Sequence, residues 1–247
     1  MHRTEGDPNV DFQGAFTLED FDFSFEWGLR VAGEVRFGGD GSLESVFTGF
    51  HRWSDVVIVD LGTGIGTGGY QSELYGGEVN SWYPIHWPFR HARGAVMAGG
   101  RYLNLRETFS FENTTPGGLS NFIETDNHVV VGQLGWMLSG NLRRTLGVRW
   151  EGKAGLGANH MERETVQLAP TVFDQEGNDS TLAFIGETSV VISYQVVPSL
   201  SVYAGYYAMW VDGLALAPAQ FNIPPEAIDD DSRLFFQAGI AGVEATW

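Results

Sequence analysis

The sequence predicts an all-β fold, an antiparallel up-and-down transmembrane β-barrel of about ten strands, and three observations carry that prediction. Long extended stretches alternate apolar and polar side chains with period two, as strands with a different solvent on each face do. The connections between them alternate in length, short and then long, counting back from the C-terminus. The last stretch stops on an aromatic residue, Trp247, where the terminus of a soluble domain usually frays into a polar tail.

The elements follow in order. Residues 1–21 are expected to form a tail or a partial first strand, and 22–247 the barrel. Met1 to Pro8 lacks the apolar core that a signal peptide needs at synthesis, so a leader is expected upstream. Phe23 to Phe37 alternates without a break: Phe23, Phe25, Trp27, Leu29, Val31 and Val35 against Ser24, Glu26, Arg30, Glu34 and Arg36. Its length exceeds the roughly ten residues that a tilted strand needs to cross a bilayer. Gly38 to Gly41 is a hairpin turn, and Ser42 to Trp53 the next strand. The Gly-rich stretch 54–70 reads as a flexible loop. Gly62, Gly64 and Gly66 do not form a dinucleotide loop, because no helix pattern follows them. Further strands are expected at 71–83, 93–111, 128–138, 148–159, 180–195, 200–210 and from Leu234 onward. Nine strands result, and bacterial single-chain barrels normally have an even number. The tenth is expected either from Asn9 to Leu18 or from upstream of Met1.

Composition narrows the class. No run approaches the roughly 20 apolar residues of a spanning helix. The chain has no cysteine, which removes disulfides and thiolate chemistry. A formal charge of −17 opposes nucleic acid and anionic surfaces by long-range repulsion.

The motifs Glu26-Trp27-Gly28-Leu29-Arg30, Gly49-Phe50-His51-Arg52-Trp53, Glu151-Gly152-Lys153-Ala154-Gly155 and above all Ala204-Gly205-Tyr206-Tyr207-Ala208-Met209-Trp210-Val211-Asp212-Gly213-Leu214-Ala215-Leu216-Ala217-Pro218 resemble outer-membrane β-barrel proteins of planctomycetes. The resemblance covers about Asp22 to Trp247. It implies a bacterial outer-membrane location, outer-membrane lipid as surroundings and a role that is largely unassigned, with no catalytic residues to carry over. The terminal aromatic resembles the C-terminal signal of bacterial outer-membrane barrels, which implies the barrel-assembly machinery as a partner through the last strand.

Parity assigns the faces. Trp27, Phe37, Trp150, Tyr194, Tyr206, Trp210 and Trp247 are expected on the lipid face, several as an interfacial girdle. Glu26, Arg30, Glu34, Glu78, Arg101, Arg149, Glu151, Lys153, Glu187 and Glu244 are expected inside a narrow lumen, where charges must be paired to survive removal from water. The expected function is a structural, anchoring or surface-interaction barrel. A small-solute porin is the alternative. A membrane-embedded barrel enzyme is weaker, since no Ser or Asp spacing selects any of the six histidines. A soluble ligand-binding barrel would need the opposite assignment of faces. No cofactor is expected apart from candidate calcium ligands Glu226, Asp229, Asp230 and Asp231, in an acidic loop of 217–231 expected to face outer water.

Overall fold

Alternating side chains and β-branched or aromatic residues commit most of the backbone to extended conformation. The computed structural model describes residues 1–5, 21, 25–37, 41–61, 64–85, 92–115, 118–169, 172–222 and 227–246. Its strands are β1 (His2–Glu5), β2 (Leu29–Arg36), β3 (Ser42–Asp60), β4 (Ile65–Ile85), β5 (Ala92–Asn113), β6 (Ser120–Asn141), β7 (Leu146–Ala169), β8 (Phe173–Val197), β9 (Leu200–Leu214) and β10 (Ser232–Ala245). They form one antiparallel sheet in the order β1-β10-β9-β8-β7-β6-β5-β4-β3-β2. The sheet curls so that its two ends approach one another at one level without pairing as strands. Trp53 of β3 lies 5.5 Å from Phe236 of β10, ring to ring, and Met1 and Glu26 exchange backbone hydrogen bonds, Glu26 N–H to Met1 O at 3.0 Å and the Met1 ammonium to Glu26 O.

The tenth strand is thus His2–Glu5, hydrogen-bonded to β10; Asn9 to Leu18 lies outside the described residues. Most strands are longer than the sequence predicts. β5 to β8 run for 22 to 25 residues, and the stretch 54–70 is not a loop but the pairing of Val56↔Gly69 through Asp60↔Ile65. The reason is a change of solvent. The outward side chains of β7 are apolar from Val148 to Ala158 and then become His160, Glu162 and Glu164. That apolar length matches the roughly ten residues of a tilted bilayer crossing. Beyond it the strand continues in water, where alternation fades although pairing does not. The boundary is one register row, Asn104↔His128↔His160↔Ser180.

The outward face is the predicted one. Trp27 is 91% exposed and Trp150 and Trp210 are each 48% exposed; Leu29, Val31, Phe37, Tyr194 and Tyr206 also face out. Trp136 stacks edge-on against Trp150 at 4.8 Å. Trp247 lies outside the described residues. Inside, the same strands bury Tyr70, Phe109, Ile123, Ile185 and Val211 beside Glu78, Arg101, Lys153 and Glu187. That outward apolar face is the opposite of what a soluble ligand-binding barrel needs. The placement also corrects the expectation of a lumen largely filled by a charge network, because much of the interior is apolar.

Candidate functional site

The lumen is filled in three layers. At the end that carries the turns after β2, β6 and β8, two adjoining cavities of about 410 and 510 Å³ are lined by Glu34, Arg36, Arg93, Arg149 and, in one of them, Glu244. Arg149 Nε lies 3.0 Å from Glu151. The deeper wall of the second cavity is formed by Glu44 and Trp82, which begin the next layer.

That layer is a hydrogen-bonded belt. Arg101 binds both Glu78 and Glu187, while Lys153 Nζ reaches Glu78 at 2.9 Å and Glu187 at 3.2 Å. Tyr207 donates to Glu187 at 2.9 Å, and the Arg30 guanidinium lies 6.0 Å from the Tyr207 ring centroid. On the other side Gln133 donates to Glu78 and to Asn80 Oδ1, Asn80 Nδ2 donates to Glu44 and Glu78, and Trp82 donates to Glu44 at 2.9 Å. Every strand from β2 to β9 contributes one or more of these groups. The four central charges are almost fully buried. Two carboxylates facing two cations in mutual reach satisfy one another, the condition under which buried ions are tolerated.

Above the belt lies an apolar plug. The penultimate residue of β9 is Gly213, whose φ of 82° is open to glycine but strained for other residues; a Cβ there would also meet Leu182 O at 2.3 Å. The chain turns inward at that point, and Leu214, Leu216, Ala217 and Phe221 are buried, the last in a 3-10 helix, Pro218–Asn222. Phe221 packs edge-on against Phe109 at 6.0 Å and Phe111 at 5.6 Å. Polar groups of the wall satisfy the inserted backbone. Asn127 donates to Ala215 O and accepts from Ala215 N–H, both at 2.8 Å, Asn159 donates to Gly213 O, and Glu107 accepts from Ala217 N–H. Gln220 ties the loop back on itself through the N–H and carbonyl of Asp229.

The expected outer loop 217–231 is therefore corrected: its first part fills the lumen. Among the described residues no three His, Asp or Glu side chains come together as metal ligands; Asp229, Asp230 and Asp231 follow the plug and Glu226 lies outside the described residues. Of the ten expected lumen charges, Glu78, Arg101, Lys153 and Glu187 meet directly, with Arg30 beside them. Glu34, Arg149, Glu151 and Glu244 belong to the open cavities, and Glu26 stands ahead of β2, where its backbone pairs with Met1. Sequence reasoning passed over Glu44, Asn80, Asn127, Gln133, Asn159 and Tyr207. Their signal was parity alone, a carboxylate, four amides and a phenol on the inward side of their strands. His160 Nδ1 lies 3.1 Å from Ser180 Oγ, and Glu162 lies 3.8 Å from its Nε2, beyond hydrogen-bond reach. These three face outward, and none lines either cavity.

Replacing Asn127 with Leu should release the plug. An unsatisfied backbone pair costs about 1–3 kcal/mol, so amide hydrogen exchange at Ala215 and Ala217 should accelerate roughly 10- to 100-fold. Unchanged protection would show that apolar packing alone holds the loop.

No protein-family model matches the chain and no curated protein does. Among solved structures it is similar to the outer membrane protease OmpT of Escherichia coli, with a TM-score of 0.54 and 11% identity over 84% of this chain and 79% of that one. At that identity the likeness shows the fold, that of an outer-membrane β-barrel, and nothing of the chemistry.

Proposed function

We propose that this chain is a plugged barrel of the bacterial outer membrane with a structural or anchoring role, presenting its rim to the surroundings and carrying little or no solute flux. The observation that supports this reading is the filled lumen: a buried ion belt and an aromatic plug lie in series, each tied to several strands. A porin keeps a continuous aqueous path, whereas the cavity described here is a vestibule with Glu44 and Trp82 of the belt in its wall. Outer-membrane lipid would contact the band between the turns and the Asn104–His128–His160–Ser180 row.

The test is electrical. Reconstituted in planar bilayers, the protein should give no sustained steps of porin size at voltages that open none of its pairs. Stable ohmic steps in the wild-type chain would replace the anchoring reading with the small-solute porin.

A further inference from the structure

Among the described residues the wall has a slot one strand wide, between β2 and the second half of β10. The β1 ladder with β10 runs from Glu5↔Leu234 down to His2↔Gln237, yet β10 continues to Ala245, where its partner among the described residues is β9 alone. Facing it, β2 pairs with β3 from Leu29↔Gly49 to Arg36↔Ser42, and its other edge has no partner strand among the described residues. The two free edges converge on Met1, which exchanges backbone hydrogen bonds with Glu26 and lies one step beyond His2↔Gln237.

Both edges lie in the apolar band, with Leu29, Val31, Val35 and Val243 exposed on the outward side. Backbone N–H and C=O groups facing hydrocarbon without partners cost several kcal/mol each, which is why membrane sheets close. We infer that the slot accepts an extended segment that runs in line with β1 and is covalently continuous with Met1, antiparallel to both edges.

Register fixes its length and pattern. The residue joined to Met1 would stand between Gly239 and Trp27, and each earlier residue one step nearer the turn end. Gly239 to Ala245 takes seven residues and Trp27 to Arg36 takes ten, so seven to ten residues fill the slot. Directly opposite residues share a face. Positions opposite Trp27, Leu29 and Val31 therefore call for apolar side chains toward lipid. Those opposite Arg30, Glu34 and Arg36 call for small or polar ones toward the lumen. A segment in line with β1 needs no turn and adds no loop-closure entropy, which favours it over a strand from a second copy or direct pairing of β2 with β10.

The test compares three proteins in lipid nanodiscs: the chain as it is, the chain with a ten-residue leader of this alternating pattern, and the same leader with one extra residue before Met1, which inverts every side chain. Hydrogen exchange is read at the edge amides of Gly239 to Ala245 and Leu29 to Arg36, together with disulfide capture between Gly239→Cys and a cysteine in the leader residue next to Met1. The in-phase leader should slow these amides by more than about tenfold and cross-link, and the shifted one should do neither. Edge amides already protected in the unextended chain, equal protection by both leaders, or protection that appears only as protein concentration rises would each overturn the inference. Exchange at the slot is independent of current through the lumen, so this can fail while the plugged-lumen reading stands.

Discussion

Arg101→Ala is expected to lower the unfolding midpoint of the detergent-solubilised barrel by roughly 10 °C. Arg101 joins Glu78 of β4 to Glu187 of β8 across the lumen, and Lys153 is left to face both carboxylates alone when it is removed. Breaking one partner of a buried ion cluster costs about 3–5 kcal/mol, and a chain of this size loses roughly 2–4 °C per kcal/mol. The control is Arg52→Ala. Its ion pair with Glu73 has the same chemistry, but the two side chains are 67% and 46% exposed, where such pairs are worth about 0–1 kcal/mol. Equal shifts for the two substitutions would show that the belt is solvated and that burial does not set its energy. The conservative Arg101→Lys should recover only part of the loss, since an ammonium cannot hold two carboxylates with the fork of a guanidinium.

The barrel was legible because its two faces meet different solvents. Trp150, Ala154 and Leu156 against Glu151 and Lys153 could be assigned from parity and charge, and the structure places them accordingly. Strand ends were not legible, for the same reason. Past His160 the outward face of β7 meets water and the inward face buries a charged residue, Arg163, so Glu162, Arg163 and Glu164 show no apolar period although they stay paired with β8 through Gln167↔Phe173. Connections that read as long loops thus became hairpins: Asp60 and Ile65 close one directly.

The interior was half legible. Charges on inward positions had to find partners, and Glu78, Arg101, Lys153 and Glu187 did. Which strands face one another across a lumen depends on curvature and stagger, which parity does not encode, so the set could be named but not divided into belt and vestibule. The plug was hidden differently. Leu214-Ala215-Leu216-Ala217 follows an outward-facing strand, and nothing local says that an apolar run after it turns inward. The one local sign is Gly213, a residue free to take positive φ between Asp212 and Leu214.

Plug and belt should act as resistances in series, so opening either alone should leave the current almost unchanged. Replacing residues 215–231 with a short Gly-Ser hairpin removes Leu216, Ala217 and Phe221 from the lumen, but Arg101 and Lys153 still tie opposite walls beneath the gap. Converting Glu78, Arg101, Lys153 and Glu187 to Ala clears that bridge, yet leaves Phe221 wedged between Phe109 and Phe111. Because each layer by itself closes the lumen, each variant should conduct close to the wild-type level, and the combined variant should exceed either by more than about tenfold in a lumen of this strand number. Folding of all three is checked by their β circular dichroism and by the mobility change on heating in gels. Full conductance from the loop deletion alone would place the whole barrier in the plug and leave the belt as a structural brace. Full conductance from belt removal alone would show that the plug swings aside, in which case its Asn127 and Gln220 ties are a hinge rather than a lock.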